Sequence, residues 1–251
     1  MEQIIIVMVF GFLSGFVDAI AGGGGLISIP ALLLINLPPA LVLGTNKLAS
    51  TMSSMTSSIN YFRSGHVKFG FLKWAIPLIA AGSASGAILV SAIPAEFLKP
   101  VISVLLVLIT LRTVLKKKQT EKAERTRTLS FPAKLGMAFL LAVIGFYDGF
   151  FGPGTGSFLI FSFYLMGHDF VTAAGNAKVV NFVTNVSALA AFLIFGLVNF
   201  QYGLLMGLSM IPGAYLGSRL AIKKGNAFVK PIFLMMTLTI VGKQVFDMLN
   251  H

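Results

Sequence analysis

Long apolar runs dominate the chain, and polar positions punctuate them rather than alternate with them. A bilayer core of about 30 Å takes roughly 20 apolar residues as a helix. Runs of that kind predict membrane spans over Leu41–Phe62, Phe71–Ile93, Lys99–Leu115, Val171–Phe195, Tyr202–Ile222 and Phe228–Leu249. Two further apolar stretches are broken by glycine. Ile4–Asn36 contains Gly22-Gly23-Gly24-Gly25, and Leu135–Gly167 contains Gly152-Pro153-Gly154-Thr155-Gly156. Each arm is short for a full span, so both stretches predict hairpins of shortened or re-entrant helices, making two crossings or none. Ala19-Ile20-Ala21 fits a small-x-small cleavage pattern. The first residues carry Glu2 and no basic group, however, and the stretch has a counterpart in mid-chain, so it reads as part of the mature protein.

The pattern repeats. Gly15-Phe16-Val17-Asp18 recurs as Gly145-Phe146-Tyr147-Asp148 at an offset of 130, which becomes 131 from the next landmark onward. Gly44 and Lys47 then match Gly175 and Lys178, Gly82 and Gly86 match Gly213 and Gly217, and Phe97, Lys99 and Pro100 match Phe228, Lys230 and Pro231. The expected architecture is an all-α polytopic membrane protein of two repeats. Residues 1–115 form the first transmembrane repeat, 116–134 a basic linker, and 135–251 the second. Each repeat is a glycine-broken helical hairpin plus three transmembrane helices. An odd number of crossings per repeat gives the two repeats opposite orientations. Inverted repeats with matching breaks are characteristic of secondary transporters, with a site near the midplane between the halves.

Composition changes the picture by exclusion. Of 251 residues, 56% are hydrophobic and only 11% charged, against about 25% charged in soluble domains. An ordinary water-soluble enzyme is excluded, and disorder is excluded by 23 Phe. With no cysteine there is no disulfide and no zinc–thiolate cluster. The net charge of +11 could signal nucleic acid, but its placement argues for membrane orientation. Basic residues crowd cytoplasmic loops, so the linker with Lys116-Lys117-Lys118 reads as cytoplasmic. Counting outward from it, 15 of the 19 Lys and Arg fall inside, and the N- and C-termini fall outside.

Two basic residues, Lys47 and Lys178, lie within spans. Ionisable groups there are costly and mark functional sites. Positions three and seven residues on share a helix face, which sets Ser50 and Ser54 beside Lys47, and Asn181 and Asn185 beside Lys178. Two ammonium groups with columns of neutral donors, Asn46 among them, suit a small anion. The glycine breaks fit the same site: freed backbone N–H groups near Gly22, Gly23, Gly24 and Gly25, and near Gly152, Gly154, Thr155 and Gly156, can face an anion. Asp18 and Asp148 could serve as proton carriers, as partners for the lysines, or as local caps. The Gly82/Gly86, Gly213/Gly217 and Gly203/Gly207 pairs read as helix-packing seams. An intramembrane enzyme finds no support, since His66, His168 and His251 fall in loops or at the terminus and no His-Glu-x-x-His occurs. No catalytic residue, metal or cofactor is expected.

At these residues the chain resembles the sulfite exporter TauE/SafE family of membrane permeases. The resemblance is carried by the stretch from Gly15 to Leu26 with Pro30-Ala31-Leu32, by Gly44-Thr45-Asn46-Lys47-Leu48, by Gly152 to Ser157, and by Asn176-Ala177-Lys178 to Asn181. It implies a multi-pass protein of the bacterial inner membrane that moves a small sulfur-containing anion such as sulfite or an organosulfonate. Its partners would be that anion and the lipid bilayer, with a homo-oligomer left open and no nucleic acid. An anion-selective channel lined by the same residues, or a membrane subunit without flux of its own, stands as the alternative.

Overall fold

A computed structural model describes residues 1–94, 131–225 and 228. The expected span Lys99–Leu115, all of the expected span Phe228–Leu249 but its first residue, nearly all of the linker, the C-terminus and the Phe97 end of the first repeat lie outside the described residues.

The described chain is all helical: α1 Glu2–Ala21, α2 Gly25–Leu34, α3 Pro39–Arg63, α4 Phe69–Ser91, α5 Phe131–Phe150, α6 Thr155–Leu165, α7 Phe170–Ile194 and α8 Phe200–Lys224. Local chemistry sets several boundaries. Pro39 opens α3, where its missing N–H costs nothing. Asp169 caps α7 by accepting from the N–H groups of Val171 and Thr172, and Asn199 caps α8 through the N–H of Tyr202. Gly22 ends α1 in a left-handed conformation (φ 76°) that L side chains adopt with difficulty.

Four helices, α1, α4, α5 and α7, are long and apolar enough to cross a membrane, and the protein is a multi-pass all-α membrane protein. This corrects one expectation. Both arms of each glycine-broken stretch were expected to be short, but the first arms, α1 and α5, have 20 residues each. Only α2 and α6 are short, at 10 and 11 residues. The glycine tracts lie close to the C-terminal ends of full-length helices, so the break divides each stretch unequally. Helices α3 and α8 are as long as α7, with 25 residues each, but carry more polar side chains. On α3 the hydroxyls of Thr51, Ser54, Thr56 and Ser57 donate to carbonyls three or four residues back, which satisfies them without water.

Helix α1 packs along α8, and α5 along α4, with α3 and α7 crossing between them. The expected glycine seams lie at these contacts. A side chain on Gly86 would strike the carbonyl of Phe146 on α5, and one on Gly217 that of Phe16 on α1. The Gly203/Gly207 seam meets Leu48 and Met52 of α3. Small residues let these backbones approach where no hydrophobic effect drives association. Outer faces remain apolar and exposed, with Phe131, Phe139, Ile194 and Leu208 among them, as lipid contact requires.

Inside, two apolar clusters stand apart. One gathers Val7, Leu32, Ile35, Val42, Phe192 and Met206; the other gathers Ile20, Tyr61, Leu72, Phe163, Ala174 and Val180. Along α7 the second cluster ends at Val180 and the first begins at Ala188. Buried Asn181, Thr184 and Asn185 fill the interval. A polar layer therefore separates two greasy ones.

Candidate functional site

The polar layer is built on α3 and α7, with the ends of α1 and α5 closing on it. Lys47 is 2% exposed and Lys178 is fully buried. Neither stands as a free ammonium. Lys47 Nζ lies 2.9 Å from Asp148 Oδ1, and Lys178 Nζ lies 2.8 Å from Asp18 Oδ2. Each pair joins one half of the chain to the other, α3 to α5 and α7 to α1. Both aspartates meet a lysine, and Asp18 also accepts from the Gly24 N–H at the break. An unpaired charge buried this deeply would be prohibitive, and pairing plus hydrogen bonds offsets the cost.

Neutral side chains complete the layer. Lys47 Nζ also donates to Asn185 Oδ1 at 3.2 Å, and Asn185 Nδ2 donates to Ser54 Oγ at 3.4 Å. Asn181 Nδ2 is 3.5 Å from Asp148 Oδ2. The Ser28 hydroxyl donates to Asn46 Oδ1 at 2.6 Å. That bond occupies the acceptor end of the amide and leaves its NH₂ to donate elsewhere.

These groups surround a cavity of about 20 Å³, room for about one water molecule. On the α3 side it is lined by Asn46, Lys47 and Ser50; on the α7 side by Asn181 and Asn185. Both aspartates border it, as do Gly22 and Gly25 of the first break and Gly152 and Gly156 of the second. The sequence-derived candidates are thus brought together with few exceptions. Lys178 does not line the cavity, and Ser54 sits behind Asn185. Gly23, Gly24, Gly154 and Thr155 shape the breaks without reaching it.

The breaks are more fully bonded than freed helix ends would suggest. The Gly24 N–H donates to Asp18 Oδ1 at 3.2 Å, and the Gly24 carbonyl accepts from the hydroxyls of Ser14 and Ser28. Thr155 Oγ1 donates to the Gly152 carbonyl at 2.7 Å. The two breaks also hold each other. The Ser157 N–H donates to the Gly22 carbonyl at 3.2 Å, and its hydroxyl to the Ala21 carbonyl at 2.8 Å. Gly22 and Gly156 meet so closely that a Cβ on either would strike the other's backbone. At Gly152 (φ 100°) an added Cβ would lie 3.1 Å from Lys47 Nζ. Glycine is needed there for both reasons.

Sequence reasoning missed Ser28, Ser157 and Tyr61, whose hydroxyl donates to the Ala19 carbonyl at 2.9 Å. It also missed Tyr147, which donates to the Pro153 carbonyl at 2.6 Å. Ser157 and Tyr147 fall within the motif stretches and could have been flagged by position. Nothing local distinguishes Ser28 or Tyr61 from other polar residues of apolar helices.

Comparison with known proteins agrees with this picture. A family model described as sulfite exporter TauE/SafE matches residues 7–243. A probable membrane transporter protein, ORF9, from a Sinorhizobium species is 40% identical over 243 residues, or 95% of this chain and 91% of its own length. A probable membrane transporter protein of Haemophilus influenzae is 36% identical over 250 residues, 98% of this chain and 96% of its own. The probable membrane transporter protein YfcA of Escherichia coli is 35% identical over 236 residues, 94% and 87% respectively. No solved structure matches the chain.

Proposed function

Since the chain belongs to the TauE/SafE family, whose members are membrane transporters and not enzymes, we propose that it carries a small sulfur oxyanion or organosulfonate by alternating access. The observation that carries the reading is the polar cavity. Two ion pairs tying the halves together and two helix breaks converge on one point inside the membrane-embedded layer.

The architecture proposed for this is a pair of inverted repeats, 1–115 and 135–251, joined by the basic linker 116–134. Its support is a set of reciprocal contacts at the repeat offset. An added Cβ on Gly44 would meet the Leu197 carbonyl, and one on its counterpart Gly175 the carbonyl of His66, the counterpart of Leu197. Gly82 faces Ala142 while Gly213 faces Phe12. The Lys68 N–H donates to Asn176 Oδ1, and the Asn199 N–H to Thr45 Oγ1. Val7 and Ile35 share one apolar cluster, which favours a hairpin that enters and leaves on one face. In the second half Met137 packs against the cluster holding Met166, in the same manner. Hairpins of that kind leave three crossings per repeat. With the linker cytoplasmic by its charge, the N- and C-termini lie outside.

Chemically, the cavity offers the Lys47 ammonium, the Ser50 hydroxyl and the amides of Asn46, Asn181 and Asn185. The N-termini of α2 and α6 border it with their positive dipole ends. The two ion pairs cancel, so the empty layer is neutral, and an arriving anion brings the excess charge. A proton taken up by an aspartate would restore the balance, which makes Asp18 and Asp148 coupling candidates. A cavity that holds about one water cannot admit a four-atom oxyanion without movement. That favours a carrier over an open channel.

The test is flux in proteoliposomes of the purified protein with sulfite, sulfate, thiosulfate and methanesulfonate. Saturable uptake with counterflow of at least one is the expected result. Large single-channel currents would replace the carrier by a channel, and absence of flux for all four would overturn the reading.

A further inference from the structure

We infer that the two ion pairs have different jobs: Lys47–Asp148 is the exchangeable pair, in which the cargo anion takes the ammonium while Asp148 takes a proton from water, and Lys178–Asp18 remains closed as a strut between the halves. The inference rests on the carrier reading above and assigns its residues.

Four observations separate the pairs. Lys47 lines the cavity and Lys178 does not. Both oxygens of Asp18 are engaged, Oδ2 by Lys178 at 2.8 Å and Oδ1 by the Gly24 N–H at 3.2 Å. Among the described residues Asp148 has only Lys47 at short range, its second oxygen lying 3.5 Å from Asn181 Nδ2. Lys47 has a second acceptor, Asn185 Oδ1, which keeps the ammonium in place when the carboxylate turns away. The sequence offset points the same way, because Asn46 beside Lys47 corresponds to Ala177 beside Lys178. Only the α3 lysine is immediately preceded by an amide, and that amide lines the cavity.

The charge balance follows. Asp148 faces Lys47 from α3 and, across the cavity, Asp18 from α1, itself neutralised by Lys178 of α7. Helix α2 carries no ionisable side chain, α6 carries only Tyr164, next to its last residue, and α4 carries only Lys73, near its N-terminus. An anion on Lys47 would leave the Asp148 carboxylate without its counter-charge beside a second negative charge, an excess that one proton on Asp148 cancels. On anion arrival a hydronium ion of the adjoining aqueous phase breaks one O–H bond and leaves water as the carboxyl O–H forms; when the anion departs and Lys47 returns, that bond breaks and the proton passes back to water. One proton therefore accompanies each anion.

The experiment uses the full chain in proteoliposomes with sulfate and methanesulfonate, strong-acid anions whose charge stays constant across the neutral range, and an entrapped pH dye. Proton movement with anion uptake is expected for the unmodified protein. D148N should retain anion counterflow and lose the proton movement, whereas D18N should keep the proton-to-anion ratio even where its rate falls. Because single variants can misfold, the neutral doubles K47M/D148N and K178M/D18N provide a binding readout. The first should weaken the anion-induced rise in thermal midpoint at least about tenfold in apparent affinity, while the second should still show that rise. Equal loss in both doubles, or proton movement persisting in D148N, overturns the division of roles and leaves the carrier standing. Absence of any anion flux or binding in the unmodified protein overturns both.

Discussion

Lys47 Nζ and Asp148 Oδ1 lie 2.9 Å apart with both side chains 2% exposed, linking α3 of the first half to α5 of the second. Taking two charges out of water costs more than their attraction returns unless further bonds satisfy them. Asn185 on the lysine and Asn181 near the carboxylate supply those bonds. The pair therefore specifies how the halves dock more than it stabilises them.

Removing one partner strands the other. K47A or D148A should each destabilise the protein by about 3–5 kcal/mol, and K47A/D148A by markedly less than the sum of the singles. Denaturation of the four proteins in detergent gives the cycle. Additive losses would show that the pair does not interact.

The glycine contacts make a sharper contrast. A Cβ at Gly156 collides with Gly22, so G156A should cost several kcal/mol, about 2–5, and abolish flux. Gly136 on α5 has no atom of the described residues within 4 Å of an added Cβ, and G136A should be neutral or stabilise by up to about 1 kcal/mol. Thermal midpoints of the two variants suffice.

At the start of α7, Asp169 accepts from the N–H groups of Val171 and Thr172 at 3.0 and 3.1 Å. Burial alone would raise its carboxyl. The bonds from Thr172 and Val171, with His66 nearby, outweigh burial and hold the pKa below the usual value. A depressed carboxylate stabilises the fold above its unfolded pKa and loses that contribution as pH falls through the folded value. D169A should therefore cost about 1 kcal/mol at neutral pH, and its midpoint should converge with that of the unmodified protein in acid. The neighbouring His168 is lowered, by burial first, against the pull of Asp169 and with Lys68 assisting. Keeping it neutral favours folding above its unfolded pKa and loses that advantage as acid protonates it.

Orientation can be read directly because the chain has no cysteine. Exposed Ser64 lies between α3 and α4, and exposed Phe195 follows α7. In whole cells an impermeant maleimide should label F195C and spare S64C until the membrane is opened. The reverse pattern would invert the proposed topology.

Much of the scaffold was legible along the chain. The expected spans Leu41–Phe62, Phe71–Ile93, Val171–Phe195 and Tyr202–Ile222 each lie within about two residues of α3, α4, α7 and α8, since their ends are written locally, by Pro39, Asp169 and Asn199 among others. The hairpins were less legible. Four consecutive glycines announce a break, but which residue ends α1 depends on Gly22 meeting Gly156 from the other half. Ser28 and Tyr61 escaped notice because their partners, Asn46 and the Ala19 carbonyl, lie on other helices.

The sequence by itself determined the helices, the duplicated motifs and the two lysines set within spans, because periodicity, caps and hydropathy act over a few turns. It also required that each of the two lysines find a partner, since a lone charge in that layer is prohibitive, and left open which group that is. Only the tertiary structure decided that each lysine meets the aspartate of the opposite half, and that Lys47 faces the cavity while Lys178 sits behind it. The cost of burying a charge demands a partner without naming one, and the packing of α3 and α7 between the ends of α1 and α5 made the choice.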